Sequence, residues 1–138
     1  MKRSAADIAF SKCVRERSEW TCEYCKRNFE HNKGGLHCSH VFGRAARSVR
    51  FDADNAMAHC NGCHRKLEQH PLEFTAHYKE VRGEGIHDIL LEKWRNVKRK
   101  ITKLEEKDIA KHYQEQLKIM EKKRKDGVTG WLEFINYE

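Results

Sequence analysis

The stretch Leu36-His37-Cys38-Ser39-His40-Val41-Phe42 follows Gly34-Gly35 and lies between Cys22-Glu23-Tyr24-Cys25 and Cys60-Asn61-Gly62-Cys63-His64. The paired glycines mark a turn, and the run after them predicts a short strand. Each C-x-x-C pair can place two thiolates on one cation through a tight turn, and four sulfurs complete a tetrahedral shell. Such a closed shell leaves no position for substrate, so the zinc it selects is expected to be structural. A redox reading of C-x-x-C requires a βαβ context, and the surrounding pattern offers none.

Residues 22–64 hold five of the six cysteines and five of the nine histidines, yet few aliphatic residues beyond Leu36, Val41 and Val49. A metal must therefore replace part of the missing apolar core. Cys13 and Cys38 fall outside the pairs. Cys13 suits packing on a helix face, whereas Cys38 is either buried or a more distant ligand.

A chain of 138 residues supports one domain of ordinary size. Lys and Arg number 28 against 21 Asp and Glu, a formal charge of +7 that suits either a polyanionic partner or a well-solvated surface. No apolar run approaches the roughly 20 residues needed to span a bilayer. Met1-Lys2-Arg3-Ser4-Ala5 is basic with no apolar segment behind it, so no secretory signal is expected. The expected location is a reducing cytoplasm, where cysteines serve metal binding rather than disulfides.

Helical signals flank this region. Asp7 is the expected cap of a helix carrying Phe10, Cys13, Val14 and Trp20 to about Thr21, and a helix starting between Cys60 and His64 is expected to end at Pro71. Leu72, Tyr78 and Val81 suggest a short helix stopped by Gly83 and Gly85. Ile86, Ile89, Leu90, Trp94, Val97, Ile101 and Leu104 form one apolar stripe, and Ile109, Tyr113, Leu117 and Met120 form another. These predict two amphipathic helices, separate or continuous. Their outer faces carry Lys93, Arg95, Lys98, Arg99, Lys100, Lys111 and Lys122 to Lys125. The apolar tail Trp131, Leu132, Phe134, Ile135 and Tyr137 should pack on the domain or on a second subunit.

Between the pairs and just after them, His40, Asn55 and His64 stand 15 and 9 residues apart, with Arg44, Arg47, Arg50 and Phe51-Asp52-Ala53-Asp54-Asn55 in between. This order, over roughly residues 7–82, resembles the HNH (His-Me finger, ββα-metal) endonucleases. It looks most like the NinG (Rap) type of phage recombination endonuclease, with a zinc arrangement similar to that of the endonuclease VII type of resolvase. The resemblance implies an α+β, treble-clef-like zinc core over residues 1–82 and a basic helical extension over 83–138 for DNA binding or dimerisation.

Phosphodiester hydrolysis needs a base for water and a divalent ion for the crowded phosphate and departing oxygen. The resemblance makes His40 the general base, His64 the ligand of a catalytic Mg2+ or Mn2+, and Asn55 a loop-tying residue that does not touch the metal. A rival role for His64 is a fourth zinc ligand in place of one cysteine. The second ligand of the catalytic metal is left open. Ser39 occupies the place before the base where many relatives carry Asp or His, and His37 the place three before it where an acid often stands. Arg44, Arg47 and Arg50 are candidates for gripping DNA phosphates. The expected activity is thus cleavage of branched or structured DNA with no membrane contact, by a monomer or a homodimer. The rival from another class is a zinc-stapled DNA-binding module without catalysis.

Overall fold

The computed structural model describes residues 2–96 and 99–138. Val97 and Lys98, read above as part of a stripe and of a basic face, lie outside the described residues. The chain forms α1 (Ala5–Arg17), β1 (Leu36–His40), β2 (Ala56–Cys60), α2 (Asn61–Gln69), α3 (Pro71–Arg82), α4 (Glu84–Asn96) and α5 (Lys103–Lys125). This is a small α+β fold whose two strands pair antiparallel, with Leu36 opposite Cys60 and His40 opposite Ala56.

The cap of α1 is Ser4, not Asp7. The Ser4 hydroxyl accepts from the Asp7 backbone N–H at 3.1 Å, and the Asp7 carboxylate accepts from the Ser4 N–H at 2.8 Å. This reciprocal pair satisfies two amides that the helix itself cannot reach. The helix stops at Arg17 because Glu19 and Trp20 enter the left-handed region, at φ 54° and 57°, and turn the chain toward the first knuckle. At the entry to β1, a side chain on Gly35 would crowd Asn32 and the Phe29 ring at 3.0 Å, so glycine suits that close approach.

β1 ends at His40 rather than Phe42, because the chain departs there into the long loop before β2. Asn55, fully buried, closes that loop. Its amide donates to the carbonyls of Phe42 (2.8 Å) and Val49 (3.0 Å), and its carbonyl oxygen accepts from the Phe42 N–H (2.8 Å). β2 has no sequence signal of its own. α2 ends at Gln69, and Pro71 opens α3, where its missing N–H costs nothing.

The buried face of α3 is Phe74, His77 and Tyr78, and Leu72 points to solvent. α4 and α5 are separate helices, and α4 buries Leu90 and His87 while Ile89 and Trp94 of the expected stripe are exposed. Ile109, Tyr113 and Met120 of α5 are buried together with Phe10, Cys13 and Val14 of α1, and Leu132 and Phe134 of the tail join the same cluster. Among the described residues no helix is long and apolar enough to cross a membrane.

Candidate metal centre and adjoining cleft

The first knuckle is a tight turn. The Lys26 N–H donates to the Cys22 carbonyl and the Cys22 N–H to the Arg27 carbonyl, both at 2.9 Å, with Lys26 at φ 67°. Glu23 hooks this turn onto β2: its N–H donates to the Ala58 carbonyl (2.8 Å), its carboxylate accepts from the Ala58 N–H (2.7 Å), and its second oxygen pairs with Arg82 (2.7 Å). The second pair comes from one junction, since Cys60 ends β2 and Cys63 lies in the first turn of α2.

The sulfurs of Cys22, Cys25, Cys60 and Cys63 thereby lie within 4.8 Å of one another, with Cys25 Sγ and Cys60 Sγ 3.9 Å apart. A tetrahedral ion with bonds of about 2.3 Å sets sulfurs about 3.8 Å apart, so this donor set fits zinc. Cys22 Sγ also accepts from the backbone N–H groups of Cys60 (3.3 Å) and Cys25 (3.5 Å), which supports a thiolate. Burial pushes the Cys25 thiol up. Hydrogen bonds from Arg27 and from the neighbouring cysteines outweigh it and bring the group down to about 6. His64 is not part of this group of four.

Beside the knuckles lies a cleft of about 510 Å³, lined along β1 by Leu36, His37, Cys38 and His40 and elsewhere by Gly43, Arg44, His64 and Glu68, with Arg3, Asp7, Ser11 and Arg15 on the α1 side. His64 reaches it because the pairing of Leu36 with Cys60 starts α2 directly across from the start of β1. His37 Nδ1 and His64 Nδ1 approach to 3.2 Å. Two ligand nitrogens on one cation, each at about 2.1 Å, stand at about this separation, so the pair fits a metal ion as well. The Glu68 carboxylate is 3.7 Å from His64 Nε2. Burial lowers the His37 pKa, with the charges of His64, Arg15 and Arg3 acting in the same sense. Ser39 is fully buried and does not line the cleft, which leaves His37 as the neighbour of His64.

His40 Nε2 lies 3.2 Å from the Arg50 carbonyl oxygen, and its ring stacks on Phe10 with centroids 6.0 Å apart. A carbonyl only accepts, so Nε2 carries the proton and Nδ1 is an acceptor. Burial lowers the His40 pKa to about 4, against the partial support of the Arg50 carbonyl and Asp7, so the imidazole is neutral near pH 7. Cys38, also on the cleft, is pushed up to about 12 by burial and is an inert thiol.

The three arginines of the loop separate. Arg44 lines the cleft and pairs with Asp7 at 3.3 Å. Arg47 is exposed and lines a different, smaller groove beside Asp52 and Asn136. Arg50, expected to grip phosphate, is instead buried and bound to the Asp7 carboxylate through Nε (3.1 Å) and Nη2 (2.6 Å). The cleft takes its other cations from α1. Arg15 is oriented by the carbonyls of Ser11 (3.2 Å) and Leu36 (3.4 Å), and Arg3 stands beyond it. The sequence carried one sign of this, since Asp7, Ser11 and Arg15 recur every fourth residue and form a polar stripe on one helix face. A second buried contact, His59 Nε2 to His77 Nε2 at 3.0 Å, ties β2 to α3 and gave no sequence signal.

Comparison with known proteins returns no match to any protein-family model, curated protein or solved structure.

Proposed function

We propose that the chain is a metal-dependent HNH endonuclease that hydrolyses DNA phosphodiester bonds, of the phage recombination type acting on branched or structured DNA. One observation carries this reading: a single cleft gathers a neutral His40, the His37 and His64 nitrogens 3.2 Å apart, and the guanidinium groups of Arg3, Arg15 and Arg44. The succession of strand, clamped loop, strand and helix supports a ββα-metal core, and the four-cysteine site supports a zinc that only holds it together.

In this reading His40 Nδ1 accepts a proton from the attacking water, and the Arg50 carbonyl holds the ring in the tautomer that leaves Nδ1 free to do so. His64 and His37 hold a divalent ion, Mg2+ or Mn2+, which when bound stabilises the charge on the phosphate and on the departing oxygen. Arg44, Arg15 and Arg3 pair with phosphate oxygens and set the strand in the cleft. Asn55 acts at a distance by fixing the loop that begins two residues after His40.

The test is incubation of supercoiled plasmid and branched DNA with the zinc-loaded chain and Mg2+ or Mn2+. Nicks are expected with the wild type and not with His40→Ala, which should still bind. Binding without cleavage of any DNA form under either ion would instead make the chain a zinc-stapled binding module.

A further inference from the structure

Trp94, in the last turn of the otherwise ordinary amphipathic α4, is an exposed ring with 42% of its surface open to solvent. It lies flat on Phe42, with centroids 4.7 Å apart and planes 5° from parallel. Phe42 is not a mobile partner. Its N–H and carbonyl are both held by the Asn55 side chain, and its ring packs on the cluster of Val49, Met57, Leu67, Phe74, Tyr78 and Leu90. The helix is fixed from the other side by Lys93 on Asp52 at 3.0 Å. A large aromatic surface is therefore held rigid and wet, an arrangement that burial alone does not explain.

Two features of its surroundings indicate what covers it. Phe42 is followed directly by Gly43 and Arg44, which line the histidine cleft, so the stack and the cleft adjoin along the chain. Trp94 also lies within Lys93-Trp94-Arg95-Asn96-Val97-Lys98-Arg99-Lys100, where five of eight residues are basic. Aromatic faces interleaved with cations suit a strand whose bases are unpaired, because every base has a face to stack and every linkage a charge to neutralise. A closed duplex keeps its base faces stacked inside and offers such a ring none. We infer that Trp94, backed by Phe42, is a stacking platform for an unpaired nucleobase, so that the substrate carries unpaired nucleotides next to the cleft. This inference rests on the nuclease reading for its substrate, though not for its test.

Binding is measured without added Mg2+ or Mn2+, by fluorescence anisotropy, on labelled oligothymidine, a perfect duplex of equal length, and the same duplex with an unpaired bulge. Trp94→Ala is expected to weaken single-stranded and bulged DNA roughly tenfold while leaving the perfect duplex within about twofold. Trp94→Phe, which keeps a ring, should retain most of the affinity, and His40→Ala all of the preference. Oligothymidine should quench the wild-type tryptophan emission more than that of Trp94→Ala. Equal weakening on all three DNAs, or none, would overturn the inference. So would sedimentation showing that the substitution turns a dimer into a monomer, since the ring would then cover a second copy. A wild type that cuts nothing yet shows the Trp94-dependent preference would leave the platform standing and remove the nuclease. Cleavage with no such preference would do the reverse.

Discussion

Replacing Asp7 by Ala tests how the loop after β1, which supplies the carbonyl partner of His40, is held. The Asp7 carboxylate receives Arg50 through two nitrogens (3.1 and 2.6 Å), Arg44 at 3.3 Å, and the Ser4 N–H and hydroxyl at 2.8 and 3.0 Å. Arg50 is 7% exposed, and the next acid, Glu106, is 3.7 Å from its Nη1. Removing the carboxylate thus leaves a buried guanidinium poorly compensated, at a cost of about 3–5 kcal/mol. Loss of one arm of the capping box adds about 1 kcal/mol. The total, about 4–6 kcal/mol, is a large part of the roughly 5–15 kcal/mol that keeps a domain folded.

In urea, with zinc present and a slope of about 2 kcal/mol/M, the midpoint should fall by about 2–3 M. Asp7→Ala/Arg50→Met should recover much of the loss, because no buried charge is then left alone. The effect also has a definite pH sign. Burial pushes the Asp7 carboxyl up, but hydrogen bonds from Arg50 and Ser4 and the Arg50 charge outweigh it and hold it below its ordinary 3.8. Its contribution is therefore complete above that value and disappears as pH falls through the lower folded value, so wild type and variant should converge in acid. A variant within about 1 kcal/mol of wild type at pH 7, or a double variant no better than the sum of the singles, would refute the reasoning.

Chelation of the zinc-loaded chain should release one equivalent and unfold it, since structural zinc contributes roughly 10–16 kcal/mol of binding, as large as the whole net stability of a domain. Circular dichroism unchanged after complete release would count against the four-cysteine site. Asn55→Ala orphans the Phe42 N–H and relieves the Phe42 and Val49 carbonyls of their donor. At about 1–3 kcal/mol for a buried orphan, the variant should lose about 2–4 kcal/mol. Amide exchange should speed up across residues 41–52, and uniform exchange with no local change would contradict the clamp. For the proposed base, burial brings His40 to about 4, so cleavage should not fall through its protonation between pH 8 and 6. A rate dropping about tenfold per pH unit in that window would show that a different group with an ordinary imidazole pKa is the base.

The knuckles were legible because their chemistry is local: two ligands three residues apart identify themselves without knowledge of the fold. β2 was not legible, because all five residues of Ala56-Met57-Ala58-His59-Cys60 are buried and no polar alternation marks the strand. The cap was misplaced by one signal within a correct pattern, since Ser4 and Asp7 three residues apart are both halves of a capping box. A stripe counted only in apolar residues misjudged α4, whose buried face uses His87 as well as Leu90. Arg50 misled for a different reason. Its partner Asp7 is 43 residues away, and only the packing of α1 against the loop brings the two together.

The two metal-compatible groups are coupled through a single turn of helix. Cys63 and His64 are consecutive in the first turn of α2, and successive helical residues point about 100° apart, so one side chain can join the thiolate group while the next reaches His37. The cysteine shell therefore does more than replace a missing core. Cys22 Sγ accepts the Cys60 N–H at the N-cap of α2, and Cys63 ties the same turn to the first knuckle, so the shell sets where α2 begins and in which direction its first turn faces. His37 needs no such aid, because its strand is registered against β2. Of the two imidazoles, it is His64 whose position would depend on a zinc held in that shell.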